Sequence, residues 1–310
     1  MTGQNIENLN GIILVNKPAE WTSFDVVAKL RGILHTKKIG HAGTLDPMAT
    51  GVLPVFVGKA TRACDILPND EKSYRAGFKL GLTTDTLDIT GKTLSSSDKT
   101  ATLDEVMTCR EKFIGDIMQI PPMYSAVKIN GQKLCNLARQ GIVIERKPRP
   151  VRIDRIDILS FDEKSQSGEM FVGCRKGTYI RSVIDDMGQA LGCGGIMTSL
   201  VRTSSAGFKL EDCHTLEEIA QIGDSGNISD ILYDVKSAFE SCCKDVVHLD
   251  GRLTTLYKNG VKLAPRQFGM KNSDDFKDKT LIVYGENDEF LGLGRIDTEK
   301  NELRSVKNFY

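Results

Sequence analysis

Strand and helix signals are interleaved along this chain without the strand–helix–strand rhythm that builds a parallel sheet. Residues 11–16, GIILVN, read as a buried strand that stops at Lys17-Pro18. Ser23 stands as the cap of a helix with Val27, Leu30 and Leu34 on one face. Residues 73–82 alternate, placing Tyr74, Ala76, Phe78 and Leu80 on one side of a strand. Residues 151–161 form another strand whose apolar phase slips after Ile153, the mark of a bulge. Thr102 with Glu105, and Thr215 with Glu218, are capping boxes that open helices. Residues 178–191 read as a helix capped by Thr178, with Ile180, Val183, Ile184, Met187 and Leu191 inward. The sum is an α+β fold on a mixed, mainly antiparallel sheet. From about Val246 the pattern becomes short strands, one short helix over 252–258 and glycine turns, a small β-rich module.

Charge decides what kind of partner such a fold can hold. The chain has 310 residues, with 41 lysines and arginines against 41 aspartates and glutamates. Zero formal charge excludes a protein held to nucleic acid by bulk charge alone. It does not exclude a local basic face. Residues 110–155 carry ten basic against four acidic residues, and residues 211–250 carry two against ten. The eight cysteines show no CxxC pair, which reads as reduced thiols. With a polar stretch at 1–10 and no apolar run of membrane length, a cytoplasmic protein is expected. No metal is expected, because His35, His41, His214 and His248 form no ligand cluster with those cysteines.

Three stretches could carry chemistry. Residues 40–51, GHAGTLDPMATG, combine glycines, a histidine and an aspartate before a proline. Pro47 holds Asp46 out of helical geometry, and a carboxylate fixed on a loop can serve as nucleophile or base. Taken alone, the stretch also reads as a surface turn. Residues 176–186, KGTYIRSVIDD, place Arg181 in the first turns of a helix, where its planar fork could orient a carboxylate. Tyr74 is either a core ring or a platform for a base. Residues 119–150 follow Pro121-Pro122 with Lys128, Lys133, Arg139, Arg146, Lys147 and Arg149. They are either a solvated insertion or a basic flap that closes on a phosphate backbone.

In order, these stretches resemble the bacterial TruB-type tRNA pseudouridine synthases. The resemblance runs through GIILVNKPAEWTSFDVV, KIGHAGTLDPMATGVLPVFVGKATR, KSYRAGFKLGLTTDTLD, PPMYSAVKINGQKLCNLARQG, KGTYIRSVIDDMGQALGCGG and LVRTSSAGF. More loosely, FLGLGRI and the closing LRSVKNFY resemble a PUA-like RNA-binding module. The resemblance implies a pseudouridine synthase catalytic fold over residues 1–245, with a thumb-like insertion at about 120–150. A small PUA-like β-barrel follows over 246–310. It implies isomerisation of uridine to pseudouridine in the T loop of tRNA, at tRNA position 55, with no cofactor.

By the same resemblance, Asp46 is the essential aspartate, Arg181 its partner and Tyr74 the ring that stacks on the target base. The resemblance leaves open whether Asp46 attacks C1′ or C6 or takes the 2′ proton. Leu200 is an apolar contact opposite, Tyr179 lines the pocket, and His41 inserts into the loop where the base left. Lys17, Lys128 and Lys133 are expected to bind substrate. The partner implied is tRNA, through its T-loop stem-loop and acceptor stem, and the family precedent is monomeric. Two departures stand out. Glu20 occupies the usual glycine of KPxGxTS, which predicts a first loop of different shape. Val201 replaces the first arginine of LRRT. A tRNA-binding chaperone without chemistry and a guide-dependent relative remain as alternatives. The Asp46, Tyr74 and Arg181 set speaks against the first, and the long insertion against the second.

Overall fold

The computed structural model describes residues 9–67, 70–240, 243–270, 274–277 and 279–310. Cys242 and most of the polar start of the chain lie outside the described residues. Strand β1 (Gly11–Lys17) is buried on both faces, which is why its sequence is a continuous apolar run. Ile13 and Val15 join one core cluster, Ile12 and Leu14 another. Helix α1 (Ser23–Ile33) is capped by Thr22 in a capping box with Asp25, one residue before the expected Ser23. Strands β2 (Ile39–His41) and β3 (Thr50–Val57) flank the loop that carries Asp46. Strand β4 (Glu71–Leu80) buries Tyr74, Ala76, Phe78 and Leu80, as the alternation predicts.

A hairpin of β5 (Leu82–Thr84) and β6 (Thr93–Ser96) leads to α2 (Leu103–Arg110), opened by the Thr102–Glu105 box. Edge strand β7 (Gly115–Gln119) precedes the insertion. The insertion holds β8 (Lys128–Ile129), β9 (Gln132–Lys133) and α3 (Leu134–Arg139). Strands β10 (Arg149–Asp162) and β11 (Ser167–Arg175) pair with shifts at Ile153/Arg155 and Ile158/Ser160, so the phase slip is a bulge. Helix α4 (Ile180–Leu191) follows, then β12 (Gly195–Ser205) and β13 (Phe208–Lys209). Thr178 does not cap α4. Its hydroxyl donates to the Arg175 carbonyl at 2.9 Å, and Tyr179 takes the cap position without a side-chain bond.

The main sheet runs β1-β3-β12-β4-β11-β10-β7, with β2 beside β3 and β13 beside β12. Only β3 and β12 pair in parallel within it. Helices α2 and α4 pack with β4, β10, β11 and β12 around Phe78, Met170 and Ile184. Helix α5 (Leu216–Asp224) and α1 cover β1 and β3 through Leu216, Ile219 and Leu30. After α6 (Val235–Glu240) come β14 (Val246–His248), α7 (Gly251–Lys258), β15 (Leu281–Tyr284), β16 (Phe290–Asp297) and β17 (Glu302–Asn308). Among the described residues these four strands form an open sheet in the order β14-β15-β16-β17, where a closed barrel was expected. Instead one part of the sheet packs on α7, and another part shares a core with Ile12, Leu14, Phe56 and Phe239.

Candidate active site

Asp46 and Arg181 are far apart in sequence, and the fold brings them together. Arg181, in the first turn of α4, meets Asp46 twice: Nε to Oδ2 at 2.9 Å and Nη2 to Oδ1 at 3.1 Å. This is the two-point fork that only arginine can make. Arg181 is 4% exposed, while the Asp46 side chain keeps 35% of its surface open. Burial pushes the Asp46 carboxyl above its ordinary range, and the Arg181 charge opposes that push. A carboxylate so placed is a stronger base than a solvated aspartate.

The remaining donors of Arg181 are fixed as well. Nη1 donates to the Thr86 carbonyl at 2.8 Å and Nη2 to the Tyr124 carbonyl at 2.9 Å. Asp88 lies 3.6 Å from Nη1 and is almost fully enclosed. Its Oδ1 accepts from the Thr86 hydroxyl at 2.8 Å and from the Thr90 amide and hydroxyl at 3.0 and 2.6 Å. Arg181 therefore serves two carboxylates, one open and one buried. Reading the sequence did not single out Asp88; its signal was a run of threonines around Asp85 and Asp88.

The loop around Asp46 is pinned on both sides. The Ser23 hydroxyl accepts from the Leu45 amide at 2.9 Å and donates to the Leu45 carbonyl at 3.3 Å. Lys17 is fully buried, and its ammonium donates to the carbonyls of Pro18 at 2.8 Å, Trp21 at 2.5 Å and Pro47 at 3.0 Å. Burial lowers its pKa to about 8. A substrate contact was expected of Lys17, but its three donors are occupied by backbone. It anchors the Asp46 loop instead. Glu20, in the same region, adopts φ +64. That is a backbone conformation glycine adopts more readily than glutamate.

Tyr74 lies opposite Arg202 in the β4/β12 register, and Leu200 opposite Ala76. Both Tyr74 and Leu200 belong to the apolar cluster that includes Leu45 and Ile180. Burial raises the Tyr74 hydroxyl pKa and Arg202 pulls it back. His41, on β2, has a buried Nδ1 without a partner, and burial followed by the Arg202 charge lowers its pKa. Tyr179 is held by Gln119, whose Oε1 accepts from its amide at 2.8 Å and whose Nε2 donates to its carbonyl at 3.1 Å. Lys128 and Lys133 face each other across the β8–β9 hairpin and are exposed. No contact among the described residues joins them to the Asp46 cluster. Also among the described residues, no group of three or more His, Cys, Asp or Glu could hold a metal ion. No described helix is long and apolar enough to cross a membrane.

Comparison with known proteins follows the same geography. Residues 31–180 match the TruB family pseudouridylate synthase N-terminal domain, and residues 181–240 the tRNA pseudouridylate synthase B C-terminal domain. The chain is 48% identical over 308 residues to tRNA pseudouridine synthase B of Lachnoclostridium phytofermentans, covering 97% of this chain and 100% of that protein. It is 42% identical over 288 residues to tRNA pseudouridine synthase B of Clostridium tetani, covering 93% and 96%. Its fold is similar to a chain in the crystal structure of a Cbf5-Nop10-Gar1 complex, with TM-score 0.73 and 27% identity, covering 97% of this chain and 85% of that one. A structure of an H/ACA RNP bound to a substrate RNA containing 2′-deoxyuridine matches at TM-score 0.70 and 25% identity, with the same coverage. With the family's domains matched end to end along the sheet and the Asp46 loop, this chain belongs to the TruB family of pseudouridylate synthases.

Proposed function

We propose that the chain isomerises uridine to pseudouridine in the T loop of tRNA, at tRNA position 55. It acts as a cytoplasmic monomer without guide RNA or cofactor. The N1–C1′ bond breaks and a C5–C1′ bond forms. The proton leaves C5, and N1 ends protonated. Composition and oxidation state are unchanged, so no donor or oxidant takes part.

The observation that carries this reading is the Asp46 carboxylate, gripped at both oxygens by Arg181 with one edge left open. Arg181 orients the carboxylate, and the surrounding cluster limits its solvation. Tyr74 stacks on the base, with Leu200 on the other side and Tyr179 at the wall. A base inside a folded loop must leave its stack, at a cost of about a few kcal/mol. His41 fills the place it vacates. Lys128 and Lys133 on the thumb-like insertion hold the RNA backbone, and residues 246–310 hold the acceptor stem. The names of the relatives support tRNA as substrate.

The test is direct. Purified protein is incubated with unmodified tRNA transcript, and pseudouridine is mapped by carbodiimide treatment and primer extension. A new stop in the T loop is expected, and it disappears in Asp46→Asn. No stop with the unaltered protein refutes the activity; a stop that survives Asp46→Asn refutes the role of that residue.

A further inference from the structure

Two cations meet beside the Asp46 loop. Arg202 is fully buried. Its Nε donates to the Val52 carbonyl at 2.7 Å and its Nη2 to the Gly43 carbonyl at 2.9 Å, while the Tyr74 hydroxyl faces the guanidinium and Nη1 has no well-formed hydrogen bond among the described residues. A Cβ built on Gly43 would lie 3.3 Å from that Nη1 and 3.6 Å from Lys72 Nζ. Both charges therefore converge on the gap left by the missing side chain. The neighbouring carboxylates are already engaged: Asp70 with Arg175 at 3.3 Å, and Asp46 with Arg181. Neither Lys72 nor Arg202 has a salt bridge among the described residues. Burial lowers the Lys72 pKa, and the Arg202 charge adds to that. Like charges held together away from water destabilise a fold. An anion entering the gap would relieve that repulsion.

We propose that Lys72, with the fixed charge of Arg202 beneath it, forms an anion subsite for a backbone phosphodiester of RNA next to the target nucleotide. The inference rests on the RNA-modifying reading above. Lys72 is the contacting group, because it is half-buried and its ammonium makes no salt bridge among the described residues. Arg202 is enclosed; it strengthens the site through its field in a poorly screened region. Gly43, at φ +71, keeps the approach open and precedes Asp46 in the same loop. A phosphate gripped here lies in the scaffold itself, so it sets the distance between the RNA backbone and the reacting carboxylate.

The test uses the full chain and a T-arm stem-loop RNA. The RNA carries either normal linkages or one neutral methylphosphonate, placed in turn on each side of the target nucleotide. Lys72→Met and Lys72→Arg are compared with the unaltered protein after melting curves establish that all three are folded. Lys72→Met is expected to raise Kd about tenfold and to lower the slope of log Kd against log salt by about 0.7–0.9. Lys72→Arg restores most of the affinity. One of the methylphosphonates costs the unaltered protein about tenfold and costs Lys72→Met nothing further. The proposal is overturned if the salt slope is unchanged in Lys72→Met, or if every neutral linkage weakens both proteins equally. It is also overturned if the unaltered protein does not bind the stem-loop. Pseudouridine formation is read separately on the same RNA. Binding without product removes the activity reading and leaves the subsite standing.

Discussion

Every nitrogen of Arg181 has a fixed partner, which makes it an orienting group rather than a spare charge. A lysine would keep the charge and lose the fork. Misplacing a reacting group by about 1 Å costs on the order of 10²-fold in rate. Arg181→Lys should therefore slow single-turnover conversion by roughly 10²-fold while tRNA Kd stays within about threefold. A matching loss of affinity would count against an orienting role. Glu20 gives a second prediction at this scale. A side chain with positive φ stores about 1–2 kcal/mol of backbone strain. Glu20→Gly relieves it but loosens the unfolded chain, so the net gain expected in chemical denaturation is about 0.5–1 kcal/mol. No gain would mean that the Glu20 side chain makes good the strain. Single residues were unevenly legible. Asp46 stood out because a proline and glycines fix its loop. Asp88 did not, because its meaning comes from an arginine far along the chain. The enclosure of Lys17 was not legible, because its carbonyl partners are brought together only by the fold.

Elements were read well where the cause is local. The boxes at Thr102 and Thr215 close as the spacing predicts, because all their donors lie within four residues. Ser23 and Thr178 failed as caps for the opposite reason. The Ser23 hydroxyl is drawn to Leu45, and the start of α4 is satisfied by Gln119 from another strand. Gln119 and Tyr124 also tie the base of the insertion to α4, and the Ser182 hydroxyl adds a bond to the Ile120 carbonyl at 3.3 Å. The far end of the insertion is different. Lys128 and Lys133 oppose each other across a two-residue hairpin, where like charges repel. Replacing both by alanine should leave the melting temperature unchanged or higher. It should weaken tRNA binding and lower its salt slope by about 1.4–1.8, the share of two phosphate contacts. An unchanged slope would show that they do not touch phosphate.

On the scale of the whole molecule, the α+β class and the small C-terminal unit were legible from periodicity alone. The packing of that unit was not, because apolar residues do not announce which surface they cover. Phe239 is fully buried and lies in one cluster with Ile12, Phe56, Ile282 and Leu293. It is the joint between the main sheet and the C-terminal sheet. Phe239→Ala should cost about 3–5 kcal/mol. Unfolding followed by Trp21 fluorescence and by hydrogen exchange in β16 should shift together. Separate midpoints would show that the two sheets are independent units.

The shared cluster also sets a timetable. Ile12 leaves the ribosome 270 residues before Ile282. At roughly 5–20 residues per second, the first strand waits on the order of tens of seconds for its last neighbours. Until then one face of that strand is covered only by the earlier members of the cluster, such as Phe56 and Phe239, so the nascent chain stays more prone to aggregation until its C-terminal sheet emerges.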